Sequence, residues 1–250
     1  MSFCFQSYYL DKPLQSGRVF DLFIPAKITE ETAIFFVHGG GWQAGSRTGF
    51  HLLMEQLNLQ GFLCASTDYR LVAPVIPGTK PITILDQLQD IRESYDHFCS
   101  ILNDLGRPLK VAVSGSSAGA HLASLLLCAN PGECGESCRL DNSWCKPTCG
   151  ILQSTPATFI PWPDIFPHIW SSMQQAAGCT YEANPERFQK LSLNSYIRID
   201  NPPLFFQEAE NEHMFPARMN QKIVDTHRKM NLSSRLKIYP DAEHGFLYAA

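Results

Sequence analysis

The run Lys110–Ala123, KVAVSGSSAGAHLA, holds the residue pattern best suited to chemistry. Gly115-Ser116-Ser117-Ala118-Gly119 fits G-x-S-x-G, with an apolar, β-branched run before it and an apolar helical run, Leu122 to Cys128, after it. A strand that turns straight into a helix leaves no room for bulk beside the central residue, which is why glycines flank it. The turn lifts the Ser117 hydroxyl above the sheet edge in a strained backbone conformation. The helix N-terminus beside it favours developing negative charge. A serine so placed is a nucleophile for acyl transfer. Ser114 and Ser116 are rival hydroxyls, but only Ser117 occupies the middle position. Taken alone, the three fixed positions also describe an ordinary small-residue turn between strand and helix.

A second pattern, His38-Gly39-Gly40-Gly41-Trp42, directly follows the apolar run that ends at Val37. Consecutive glycines let the backbone come close to a reacting group and aim its N–H groups at it, as an oxyanion hole requires. Gly40, Gly41 and Ala118, the residue after the nucleophile, are the expected donors, with His38 bracing the loop. A phosphate-binding reading finds no GxxxxGK[ST] or GxGxxG pattern to support it.

With these two stretches separated by a strand and a long helix, the chain resembles, over nearly its whole length, a known group. This is the α/β-hydrolases of the hormone-sensitive-lipase-like and feruloyl/acetyl-xylan-esterase-like kind. Asp68-Tyr69-Arg70-Leu71, and Leu191-Ser192-Leu193 ahead of Pro202-Pro203-Leu204, add to the resemblance as structural brackets. The resemblance implies an α/β-hydrolase fold, a mostly parallel eight-stranded sheet with helices on both faces. It implies one domain over residues 1–250 with a small lid insertion after the sixth strand, at about 157–201. It also implies a serine carboxylic ester hydrolase working through an acyl-enzyme on small to medium acyl or aryl esters, acetylated or feruloylated carbohydrate among them. No cofactor is implied. An arylformamidase-like amide hydrolase and a non-catalytic hydrolase-fold binding protein are the alternatives.

The chain order in this fold is serine, then acid, then histidine. Glu243-His244-Gly245-Phe246 lies past the last strand-like run, so His244 is the expected base. Similar hydrolases show G-x-x-D-x-x-V-P where this chain has Ala209-Glu210-Asn211-Glu212-His213-Met214-Phe215-Pro216. Aligning on Pro216 puts Glu212 at the acid position, with Glu208 and Glu210 as rivals. A glutamate can orient and charge-stabilise a histidine as an aspartate does.

These residues need a sheet to hold them. Apolar, β-branched runs lie at residues 18–24, 33–37, 63–67, 110–114, 150–154, 203–207 and 235–239, alternating with helical periodicity. Ile84, Leu88, Ile91, Tyr95, Phe98 and Leu102 recur at steps of four and three, and Gly106 is the expected stop. Asn184-Pro185 reads as an N-cap followed by proline at the first helical position. His51, His97 and His227 read as surface or packing residues. The stretch from Phe159 to Trp170 is dense in aromatics and prolines. Trp162 and Phe166, together with Trp42, are candidate substrate contacts, with packing onto the sheet as the equal alternative.

Composition narrows the remaining classes. At 44% hydrophobic and 18% charged, with a formal charge of −4, the chain has material for a large core and no basic face for nucleic acid or anionic lipid. The N-terminal residues lack a basic n-region and an unbroken apolar h-region, and no stretch is long enough to span a bilayer, so the expectation is a cytoplasmic protein acting on a small molecule. Oligomeric state stays open, a dimer included. Nine cysteines, an odd number, suggest reduced thiols. Cys134, Cys138, Cys145 and Cys149 cluster in an insert at about residues 130–149, but in CxxxC pairs rather than the usual CxxC of zinc sites, so no metal is expected.

Overall fold

The computed structural model describes residues 4–10, 17–73, 77–106, 110–140 and 144–246. The extreme ends of the expected domain and residues 141–143 of the cysteine-rich insert lie outside them.

Among the described residues, eight strands form one sheet. They are β1 Cys4–Tyr9, β2 Val19–Ile24, β3 Thr32–Val37, β4 Cys64–Thr67, β5 Lys110–Ser116, β6 Cys149–Gln153, β7 Leu204–Asn211 and β8 Arg235–Glu243. Their order is β1-β2-β4-β3-β5-β6-β7-β8. Every pairing from β4 to β8 is parallel, and β2 runs antiparallel to both β1 and β4. The seven apolar runs of the sequence correspond to β2 through β8. β1 is the strand they left out, a mostly exposed edge whose alternation carries little hydrophobic signal.

The helices are α1 His51–Leu59, α2 Ile84–Asp104, α3 Ala118–Cys128, α4 Pro167–Ala177, α5 Pro185–Lys190 and α6 Ala217–Lys229. Both faces of the sheet are covered, and β3 makes this visible residue by residue. Ala33, Phe35 and Val37 join the large core beneath α2 and α3, whereas Ile34 and Phe36 pack with Phe50 and Met54 under α1. Successive side chains of a strand point to opposite faces, so a strand buried on both sides must be continuously apolar. In α2 all six expected core residues are buried. Thr83 and Asp86 form a capping box at its start, and Gly106 follows its end at φ +66°.

Strand order reverses between β3 and β5, because β3 connects to β4 on one side and the chain then crosses to β5 on the other. In open α/β sheets the crevice at the carboxyl ends of such a pair is where ligands bind. His38–Trp42 leaves the end of β3 and Ser117 leaves the end of β5. β7 and β8 each run longer than their apolar cores suggest, with a register shift between Ala209 and Asn211, and end one residue before Glu212 and His244. β8 can hold Pro240 because it is an edge strand, where a missing N–H breaks no ladder on the open side.

The cysteine-rich insert packs at the far end of α3 from Ser117. Buried Arg92 of α2 pairs with Glu136 at 2.6 Å and donates to the carbonyls of Ala129 and Asn130, capping the helix. The nine cysteines are all free. Among the described residues no group of three or more His, Cys, Asp or Glu is placed to hold a metal ion, and no helix is long and apolar enough to cross a membrane.

Candidate active site

Ser117 caps α3 with φ +53° and ψ −122°, a conformation unfavourable for any residue with a Cβ. It is held there by its own N–H on Gln153 O at 2.9 Å and by His121 N–H on its carbonyl at 3.0 Å. The flanking glycines are steric necessities. A Cβ on Gly115 would stand 2.5 Å from Gly119 O, and one on Gly119 would stand 2.2 Å from Val37 O. Strand β3 and the head of α3 therefore touch backbone to backbone, which brings the glycine loop beside the serine.

That loop is fixed from below. His38 Nδ1 donates to Gly39 O at 2.8 Å, Tyr69 Oη donates to His38 O at 2.8 Å, and the two rings stack with centroids 4.2 Å apart. Ala44 N–H bonds Gly40 O at 2.9 Å. Gly40 itself sits at φ +121°, where a Cβ would meet Ala44 O at 2.2 Å. The bracket Asp68-Tyr69-Arg70 thus has a physical task, completed by Arg47 on Asp68 and by the Arg70 guanidinium on Asp90. His38 is buried, and burial lowers its pKa, so it is a neutral strut.

Trp42, a candidate substrate contact, lines the same cleft as Ser117 and His244, with most of its side chain covered. Its indole is 2% exposed and donates from Nε1 to His121 Nδ1 at 3.3 Å, while its carbonyl accepts from Gln87 and Val72. His121 in turn donates from Nε2 to Leu191 O at 2.7 Å, and burial takes its pKa down to about 4, so it stays neutral. The indole thus also braces the loop from the core side.

The three residues expected to do chemistry come together from three strand ends. His244 Nδ1 lies 2.7 Å from Glu212 Oε2, and His244 Nε2 lies 2.9 Å from Ser117 Oγ. A carboxylate can only accept, so Nδ1 carries the proton and Nε2 is left to accept from the serine hydroxyl. Burial would push the Glu212 carboxyl up. The hydrogen bond and charge of His244, together with the N–H groups of Met214 and Phe215 on its other oxygen, outweigh burial and hold it below the usual range. The rivals are occupied elsewhere. Exposed Glu210 accepts from Asp241 N–H, and buried Glu208 accepts from Thr155 N–H and Asn220 Nδ2. His213 is exposed, 4.0 Å from Glu243.

Ser117, His244, Gly40 and Gly41 line one cleft of about 450 Å³. Ala118 is the first residue of α3, where helical geometry leaves the N–H without an intrahelical acceptor. The opposite wall is His168, Ile169 and Ser172 of α4 with Met214 and Phe215. Trp162 and Phe166 do not line this cleft. Trp162 packs 6.2 Å from the Phe215 ring, and Phe166 is 44% exposed beside His168. The aromatic density of residues 159–170 thus points to the right segment but to neighbours of the lining residues. The α4 contacts could have been found only by placing its turns, and Ser154, whose hydroxyl accepts from Gly245 N–H at 3.2 Å, carries no sequence signal beyond its position after β6.

The BD-FAE family model matches residues 20–226. A probable carboxylic ester hydrolase of Mycobacterium tuberculosis, LipM, is 24% identical over 85% of this chain and 49% of its own length. The probable isoprenylcysteine alpha-carbonyl methylesterase ICMEL1 of Arabidopsis thaliana is 21% identical over 91% of this chain and 48% of its own. The chain thus spans about half the length of the curated relatives it matches. Among solved structures, Thermogutta terrifontis esterase 2 phosphonylated by sarin superposes with a TM-score of 0.75 at 20% identity, over 92% of this chain and 81% of that one. The fold is that of an α/β-hydrolase.

Proposed function

The chain belongs to the BD-FAE family of α/β-hydrolases, and from that premise we propose that it is a serine-dependent carboxylic ester hydrolase in which Ser117, His244 and Glu212 form the triad. The observation that carries this reading is the single imidazole bridging Ser117 Oγ at 2.9 Å and Glu212 Oε2 at 2.7 Å above an apolar cleft. In the proposed cycle, Ser117 Oγ attacks the ester carbonyl carbon while His244 Nε2 takes its proton. Glu212 stabilises the imidazolium so formed. The oxyanion is held by N–H groups of Gly40, Gly41 and Ala118, each contributing about 2.7–4 kcal/mol in enzymes of this kind. His244 returns the proton to the departing alcohol, and water then cleaves the acyl-enzyme by the same steps in reverse.

The substrates of this reading are small to medium acyl or aryl esters. Support comes from the cleft volume and its apolar lining of Ile169, Met214 and Phe215. The likeness to carboxylic ester hydrolases of similar sequence supports the reaction class. The reading also places the protein in the cytoplasm, for which the free thiols of all nine cysteines are the support. Hydrolysis of p-nitrophenyl acetate, butyrate and octanoate, methyl ferulate and N-formylkynurenine by wild type and Ser117→Ala tests it. Ester turnover that vanishes in the variant is the expected result. Equal inertness of both proteins on every ester refutes the proposal, and a preference for N-formylkynurenine replaces it with amide hydrolysis.

A further inference from the structure

Behind the triad lies a polar cluster that the proposed cycle leaves unused. Glu208 on β7 and Asn220 on α6 are both 0% exposed. Glu208 Oε1 accepts from Asn220 Nδ2 at 2.8 Å and from Thr155 N–H at 3.3 Å, while Asn220 Nδ2 also donates to Thr155 O at 3.0 Å. Both backbone groups of Thr155 are therefore gripped by one pair of side chains from two other elements. Thr155 follows Ser154, which is buried and sits at φ +48°, a left-handed conformation that a residue with a Cβ keeps only where its surroundings impose it. Ser154 N–H is tied to Gln207 O at 2.9 Å, and its hydroxyl takes the N–H of Gly245, the residue after His244. A continuous set of contacts thus runs from Glu208 to the loop carrying the base.

The charge state of the cluster follows from its surroundings. Among the described residues, no basic side chain pairs with Glu208, and Glu208 Oε2, Asn220 Oδ1 and Thr155 Oγ1 have no hydrogen-bond partner. The neighbouring elements bring uncharged groups, Thr155 after β6 and Asn220 on α6. The ionisable group that acts on Glu208 is Glu212 from its own strand's extension, already engaged with His244. Burial, reinforced by the Glu212 charge and opposed by the bonds from Thr155 and Asn220, pushes the Glu208 carboxyl up to about 8. With no basic partner to hold a charge there, the Glu208 carboxyl is neutral at pH 7. Two glutamates four residues apart, one on β7 and one just past its end, are thereby driven to opposite protonation states, which keeps the negative charge on Glu212 against His244.

We propose that Glu208 is a positioning residue: with Asn220 it clamps Thr155 and, through Ser154 and Gly245, sets His244 in register with Ser117. The inference rests on the triad reading above. Its test measures kcat and KM for p-nitrophenyl butyrate from about pH 6 to about pH 9 in wild type, Ser117→Ala, Glu208→Gln, Glu208→Ala and Ser154→Ala. Glu208→Ala is expected to lower kcat about tenfold or more with KM within about threefold, since sub-ångström displacement of a base acts on the chemical step. Glu208→Gln, which keeps both an acceptor and a donor, should recover kcat to within about threefold of wild type. Ser154→Ala breaks the same path at its other end and should repeat the kcat loss even if Glu208→Ala fails to fold. Wild-type kcat should also decline as pH rises through about 8, where Glu208 ionises, and Glu208→Gln should lack that decline. Wild-type kcat in Ser154→Ala, or a loss in Glu208→Gln as deep as in Glu208→Ala, overturns the clamp. Ester turnover that survives Ser117→Ala fails the triad instead, so the two failures are told apart.

Discussion

His244 Nε2 stands 2.9 Å from Ser117 Oγ although 127 residues of sequence separate them, and the same imidazole stands 2.7 Å from Glu212 on its other side. Three strand ends converge to make this contact, and the longest of them, β7 and β8, extend beyond their apolar cores to deliver acid and base.

The acid is open to a direct comparison. Glu212→Gln removes the charge that stabilises the imidazolium and, with its amide oxygen held by the N–H groups of Met214 and Phe215, turns an NH2 donor toward Nδ1, so kcat should fall about 10²–10⁴-fold. Glu210→Gln, which disturbs only a surface bond to Asp241 N–H, should stay within about twofold. Steady-state kinetics on one p-nitrophenyl ester decides between them, and the reverse ranking would reassign the role to Glu210.

How this acid could be read from sequence shows where legibility ends. Ser117 and the glycine loop were legible because backbone sterics force the glycines: Gly119 and Gly40 have carbonyl oxygens where a Cβ would go. Glu212 was legible only through Pro216, since a carboxylate's partner depends on a histidine that arrives from another strand. Trp162 and Phe166 misled because an aromatic beside a motif serves the core as readily as a cleft, and only packing decides. β1 escaped because an exposed edge strand needs no apolar alternation.

The glycine loop yields a stability contrast. Gly41 sits at φ +59° with nothing near its missing Cβ, so Gly41→Ala should destabilise by about 1–2 kcal/mol. Gly40→Ala adds a backbone clash to a φ of +121°, well outside the left-handed well that Gly41 occupies, and should cost well over about 2 kcal/mol. Urea midpoints of the two variants check the order. Equal losses would mean that the loop relaxes freely.

Glu208 predicts a pH-dependent stability difference. Its folded-state pKa of about 8 lies above the ordinary 4.5, so its contribution is fully present below about pH 4.5 and is lost as pH rises to about 8. Because glutamine does not titrate, the Tm of Glu208→Gln relative to wild type should rise across that window, by an amount on the order of a few kcal/mol in stability. A difference in Tm that is flat with pH contradicts a protonated Glu208.

Ile169 on α4 forms the cleft wall facing the serine. Ile169→Trp should shorten the space for an acyl chain and lower kcat/KM for p-nitrophenyl octanoate about tenfold while leaving the acetate within about threefold. An equal effect on both esters would place the acyl chain elsewhere.

The central claim is that Ser117 is a nucleophile activated by His244, and covalent labelling tests it most directly. The protein is treated with a fluorophosphonate ester and the modified peptide is identified by mass spectrometry. The account predicts one adduct, on Ser117, absent in Ser117→Ala and formed far more slowly in His244→Ala. An adduct on another serine, or labelling of Ser117 at the same rate without His244, would contradict it.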